Sequence, residues 1–154
     1  MKNLLGSELI HLDNPACLFC QIVNGGVAAR LVFEDEVSVA FLDHRPLFLG
    51  HCLLVPKDHY ETLVDLPENL VEPFFKNTQL LARAIESAMD AHGTFVAMNN
   101  RVSQSVPHFH VHVVPRRRKD GLKGFFWPRY PYKSEEEADS VQLTVRNAIE
   151  VLMR

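Results

Sequence analysis

The sequence predicts an α+β domain built around a five-stranded antiparallel sheet. Three features carry this expectation: apolar runs of only a few residues, turn residues between successive runs, and few stretches with helical periodicity. The 154 residues, 47% hydrophobic and 23% charged, suit a single domain with a core of its own. The motifs described below concentrate in residues 17–116, leaving a C-terminal tail and helix in 117–154.

Asn14 suits an N-cap and Pro15 the first helical position, so a short helix is expected from there through Cys17 to Val23, stopped by Asn24-Gly25-Gly26. Arg30 to Glu34 and Glu36 to Asp43 read as a hairpin, with Val37, Val39 and Phe41 alternating. After a loop through Arg45, Pro46 and Gly50, His51 to Pro56 is too short for a helix and reads as a third strand. Pro67 opens the longest helical pattern, with Leu70, Phe74, Leu81, Ile85, Ala88 and Met89 near one face, Pro73 an early irregularity and Gly93 the stop. Thr94 to Met98 and Phe109 to Val114 read as strands around the polar loop Asn99 to Pro107. Ser134 to Glu137 forms a capping box for a last helix, whose Ala138, Val141, Val145, Ile149 and Leu152 share a face. There is no internal repeat or low-complexity tract.

Sixteen basic against nineteen acidic side chains give a net charge of −3, which argues against a general nucleic-acid binder. No apolar run approaches the ~18 residues of a membrane span. The first residues are interrupted by Ser7, Glu8, His11 and Asp13, unlike a signal peptide, so a cytoplasmic protein without a membrane partner is expected. Three cysteines cannot all pair within one chain, and Cys17-x-x-Cys20 suits metal or redox chemistry better than a disulfide framework.

The segment Pro107-His-Phe-His-Val-His-Val-Val-Pro115 is the strongest functional signal. On a strand, His108, His110 and His112 would share one face at ~7 Å steps, while Phe109, Val111 and Val113 pack on the other. Like charges would repel if all three imidazoles were protonated, so such an array must be held partly neutral. Two chemistries fit: a metal centre with an open position for water, or attack on phosphorus by a neutral imidazole whose neighbours bind phosphate and protonate the leaving group.

Residues 108–114 match the signature of the histidine triad family of nucleotide hydrolases and transferases, three histidines separated by single apolar residues and followed by two more. The chain resembles that family further through Cys17-Leu-Phe-Cys-Gln-Ile22, Val39 to Asp43, Gly50 to His59 and Gln104 to His108. Phe125-Phe-Trp-Pro128 with the later Ser134 to Glu137 looks more like the branch that cleaves dinucleoside polyphosphates than the one that cleaves nucleoside phosphoramidates.

The resemblance implies that His110 is the nucleophile and that His112 and His51 contact phosphate oxygens or protonate the leaving nucleotide. Having His112 where a phosphorolytic branch carries glutamine favours hydrolysis. Asp43 would accept ribose hydroxyls, and Asn99, Gln104 and Ser105 would approach the phosphates. That polar loop lacks the glycines common in the family, and Arg101 could compensate by charge. The expected substrate is a dinucleoside polyphosphate such as diadenosine tetraphosphate. The alternatives are a nucleoside phosphoramidase or nucleotidyl transferase, a nucleotide-binding regulator, and a hydrolytic zinc centre on the triad itself. A homodimer is expected because the family usually joins two such sheets.

Cys17 and Cys20 alone would be as consistent with packing as with metal. The resemblance joins them to His59 and His108 as a structural zinc site, with no organic cofactor implied. Cys52 reads as a small core residue. Arg116-Arg-Arg-Lys119 reads as a solvated turn, with polyphosphate binding the alternative. Trp127 could serve a base or a dimer seam. His11, His44 and His92 carry no motif.

Overall fold

A computed structural model of the chain describes residues 13–122 and 131–153. The chain divides into two compact units, Met1–Asp120 and Gly121–Arg154. The first unit holds helix α1 (Leu18–Val23), strands β1 (Leu31–Glu34), β2 (Ser38–Leu42) and β3 (Cys52–Pro56), helix α2 (Glu68–Ala88), and strands β4 (Gly93–Ala97) and β5 (Val111–Arg116). The five strands form one antiparallel sheet in the order β1-β2-β3-β5-β4.

The first helix begins later than its sequence suggests. Asn14 Oδ1 accepts from the Ala16 amide at 3.1 Å and the Asn14 carbonyl accepts from the Cys17 amide at 2.8 Å. Asn14-Pro15 therefore makes a turn, as these residues also do, and Cys17 becomes the N-cap of α1.

Alternation along the strands sorts the core into two faces. Ala40, Leu54, Val111 and Val113 pack with Phe74, Leu81 and Ile85 of α2. Val39, Phe41, Leu53 and Val55 pack on the opposite face with Phe19, Cys20 and Ile22 of α1. Because both faces are covered, β2 and β3 are buried almost throughout. The inner stripe of α2 includes Thr78, which its sequence pattern does not reveal, since its hydroxyl bonds the Phe74 carbonyl at 3.1 Å within the helix. Ala88, expected on that stripe, is exposed. Asp35 Oδ1 accepts the Val37 and Ser38 amides, and Asn77 Nδ2 of α2 reaches Asp35 Oδ2 at 2.6 Å, which ties the β1–β2 hairpin to the helix.

In the second unit, α3 (Glu135–Leu152) starts with the expected cap, Ser134 Oγ accepting from the Glu137 amide at 3.2 Å. Its apolar stripe is exposed, with Val141, Val145, Ile149 and Leu152 at 41–86% accessibility. The Phe125-Phe126-Trp127 segment and His11 lie outside the described residues. No helix among the described residues is long and apolar enough to cross a membrane.

Candidate functional site

Strand register brings the chemistry together. Leu42 at the end of β2 pairs with Cys52 at the start of β3, and Leu53 pairs with His112 on β5. Asp43, His51 and His112 therefore meet across three neighbouring strands, with the Asp43 amide donating to the His51 carbonyl at 2.9 Å. His112 lies within β5, whereas His108 and His110 precede it. Phe109, Val111 and Val113 are fully buried on the α2 side, as alternation requires.

The triad does not line a single surface. His108 is fully buried and belongs to a separate cluster. Its Nδ1 lies 3.5 Å from both Cys17 Sγ and Cys20 Sγ, and His59 Nδ1 lies 3.3 Å from Cys20 Sγ. A tetrahedral zinc with its usual Zn–S and Zn–N lengths needs S···N edges of about 3.5 Å, so these four residues fit that ion. His108 Nε2–H donates to the Pro56 carbonyl at 2.9 Å, which leaves the Nδ1 lone pair aimed at the sulfurs. Burial pushes the Cys20 thiol up to about 12 and His108 down to about 4. The Cys20 thiol therefore stays neutral unless a cation supplies the field that ionises it.

The remaining imidazoles form a relay whose tautomers are fixed by backbone groups. His110 Nδ1–H donates to the His108 carbonyl at 2.7 Å, so Nε2 keeps its lone pair. Phe19 stands edge-on to the His110 ring at 5.2 Å. The Leu47 amide donates to His51 Nδ1 at 3.1 Å, which places the proton of His51 on Nε2. That nitrogen donates to His112 Nδ1 at 3.0 Å, leaving His112 with an Nε2–H. Burial is the first cause lowering all three rings below 6.5, His112 to about 4, while the Asp43 carboxylate opposes it. Near neutral pH the site therefore holds one imidazole with a free lone pair and one with a free N–H.

Asp43, His51 and His112 are also close enough to suit a cation. However, the Leu47 amide donates to Nδ1 of His51, which leaves the ring's own proton on Nε2, the nitrogen that a metal would need. This chemistry, with His108 committed to the cysteines, counts against a hydrolytic metal centre on the triad.

A cleft of about 830 Å³ opens beside the relay. Phe19, Ile22, Val27, Phe41 and Leu53 form its apolar part, while Asp43, Ser105, His110 and His112 form its polar part. Asn99 and Gln104 do not line it. Gln104 Nε2 donates to the Glu61 carbonyl at 2.6 Å and its Oε1 accepts from the Arg101 amide at 2.8 Å, while Asn99 Nδ2 donates to the Ser103 carbonyl at 3.2 Å. Both hold the 99–105 loop, which passes Arg101 and Ser103 through positive φ without glycine.

Of the basic run, Arg116 ends β5 and Arg117 to Lys119 form a turn beyond it. Arg116 pairs with Asp120 at 2.6 Å, Arg117 reaches the Met89 carbonyl at 2.6 Å, and His92 Nδ1 accepts from the Arg118 amide at 3.0 Å. Cys52 is buried in the core, and burial raises its thiol to about 11.

Two contributions escaped the sequence. The Leu47 amide is a backbone donor and leaves no residue signal. Arg30, His44 and Arg45 line the cleft beside Asp43, and nothing in their spacing announces it.

A buried imidazole with a directed lone pair, a neighbouring N–H and an adjoining half-apolar cleft are the features that histidine-based attack on phosphorus requires. The HIT domain profile matches residues 24–119, and the chain belongs to the HIT family. It is 31% identical over 137 residues to the adenylylsulfatase HINT3 of Arabidopsis thaliana, covering 84% of this chain and 68% of that protein. It is 32% identical over 123 residues to the adenosine 5′-monophosphoramidase hnt1 of Schizosaccharomyces pombe, covering 79% and 90%. The crystal structure of a zinc-bound histidine triad family protein from Mycobacterium smegmatis superposes with a TM-score of 0.67 at 36% identity, covering 85% of this chain and 97% of that one.

Proposed function

We propose that this protein is a nucleotide hydrolase that releases a nucleoside monophosphate through a covalent nucleotidyl-His110 intermediate. The observation that carries the reading is the opposed pair of tautomers, a lone pair on His110 Nε2 and a proton on His112 Nε2. In the first step His110 Nε2 attacks the α-phosphorus and the bond from phosphorus to the leaving group breaks; the departing atom takes its proton from a water in the cleft while the neutral His112 Nε2–H hydrogen-bonds it. In the second, the hydroxide so formed attacks phosphorus and the P–N bond breaks, which returns His110 Nε2 to its neutral form. The His108 carbonyl holds the Nδ1 proton of His110 in both steps and stabilises the charge that develops on the ring. Asp43 accepts ribose hydroxyls, the apolar part of the cleft takes the base, and Ser105 faces the phosphate.

The relatives named for phosphoramidase and adenylylsulfatase activity favour leaving groups smaller than a second nucleotide. Adenosine 5′-phosphoramidate is therefore a substrate candidate alongside diadenosine tetraphosphate. Release of AMP from the two, compared at equal enzyme concentration, decides between them. Preferential turnover of the phosphoramidate supports the small leaving group, whereas turnover of neither, with AMP still bound, would replace the enzyme by a nucleotide-binding regulator.

The same reading assigns Cys17, Cys20, His59 and His108 to a structural zinc, supported by their S···N spacings of 3.3–3.5 Å. The ion would supply a rigid tetrahedral anchor, and no protein ligand is left to other chemistry. By fixing His108, that anchor positions the carbonyl that orients His110. A homodimer and a cytoplasmic setting complete the proposal, and sedimentation and cell fractionation test them.

A further inference from the structure

The charge in the cleft is not where the phosphate chemistry is. The fixed charges lining the cleft are the Asp43 carboxylate and the guanidiniums of Arg30 and Arg45. This local excess of positive charge stands in a chain whose net charge is −3.

Those cations sit on the Asp43 side. The Arg30 carbonyl accepts from the Leu42 amide at 3.0 Å, which sets Arg30 beside the end of β2 just before Asp43. The Arg45 amide donates to Asp43 Oδ1 at 2.8 Å, and Arg45 Nε reaches His44 Nε2 at 3.5 Å. The His44 ring in turn lies 3.8 Å from Asp43 Oδ1. Among the described residues, no acidic side chain makes an ion pair with Arg30 or Arg45.

We propose that Arg30 and Arg45, the latter oriented by His44, form a second anion subsite on the cleft rim that takes a phosphate carried by the 2′ or 3′ oxygen of the ribose. The inference rests on the nucleotide reading above, which puts the ribose at Asp43. A carboxylate there accepts one ribose hydroxyl, and a phosphate on the neighbouring oxygen meets the two guanidiniums. Planar guanidinium forks suit phosphate oxygens because they can bind them in pairs. The preferred ligand is then a nucleoside bisphosphate unit, with one phosphate at His110 and another at the rim. A phosphate in a leaving chain offers the same oxygens, so the two sources must be compared.

Calorimetric titration of the full chain with AMP, adenosine 2′,5′-bisphosphate, adenosine 3′,5′-bisphosphate and ADP makes the comparison. One bisphosphate should bind about tenfold more tightly than AMP, with the gain shrinking as salt rises above ~0.15 M. In the doubly substituted Arg30→Ala, Arg45→Ala protein, the ratio of the AMP and bisphosphate dissociation constants should fall toward one. Arg118→Ala, beyond the far end of β5, should keep the wild-type ratio. Bisphosphates no tighter than AMP, or a gain that survives the double substitution, would overturn the subsite. A gain for ADP alone would move the second phosphate to the leaving chain and likewise overturn it. Failure of AMP itself to bind would remove the nucleotide reading, and the subsite with it. Circular dichroism checks that the variants fold, and both arginines are exposed enough for that to be expected.

Discussion

Gly50→Ala tests how the loop before His51 holds the relay. The His51 amide donates to the Phe48 carbonyl at 3.0 Å, closing a turn in which Gly50 has φ +93°. An added Cβ would stand 2.6 Å from Met89 Cγ and 2.9 Å from Met89 Sδ. Holding a non-glycine residue at positive φ costs about 1–2 kcal/mol, and the overlap adds about 1 kcal/mol because a flexible methionine can partly retreat. The sum, about 2–3 kcal/mol, should appear as a lower urea midpoint with unchanged slope. At ~2–4 °C per kcal/mol it should also lower Tm by about 4–12 °C. Adding Met89→Ala separates the causes: the double-mutant cycle should recover about 1 kcal/mol and leave the backbone penalty. A loss under about 0.5 kcal/mol, or no coupling to Met89, would refute the reasoning.

Three further outcomes follow from the same geometry. His112 should titrate near pH 4 in NMR spectra, and a midpoint near 6.5 would contradict its buried, neutral state. The unfolded chain takes up this proton near pH 6.5 and the folded chain only near 4, so this ring's contribution to stability is lost as pH falls from 6.5 toward 4. Leu47→Pro removes the amide that sets the His51 tautomer and should lower kcat about 10–100-fold for a poor leaving group while sparing one that departs without a hydrogen bond. Equal losses for both would detach Leu47 from stabilisation of the leaving group. Cys20→Ser should abolish zinc retention in elemental analysis of the purified protein, and unchanged metal content would refute the ligand set.

The sheet was legible because each strand is short, bounded by turn residues and apolar where a neighbour covers it. Element ends were less so: Asn14-Pro15 suits a turn as well as a helix start, and only the bond from the Cys17 amide to Asn14 decides between them. The triad spacing pointed to the site, and Phe109, Val111 and Val113 alternate inward as read. What alternation could not reveal is that His108 turns to the cysteines, since that depends on where α1 packs. The family resemblance directed Asn99 and Gln104 toward phosphate; in the structure their amides hold the loop, because a glycine-free loop at positive φ needs side-chain bonds of its own. The basic run read as a turn with phosphate binding the alternative, and two of its side chains, Arg116 and Arg117, are engaged by Asp120 and the Met89 carbonyl. The rim formed by Arg30, His44 and Arg45 arises from pairing between β1 and β2 and is invisible one residue at a time.

The central claim is that His110 Nε2 forms a bond to phosphorus. Rapid acid quench during turnover of adenosine 5′-phosphoramidate, followed by peptide mass spectrometry, tests it most directly. The account predicts one adenylyl group on the peptide containing His110, absent from His110→Ala while His112→Ala still accumulates it. Turnover by the intact protein with no such adduct, or an adduct that persists in His110→Ala, would contradict it.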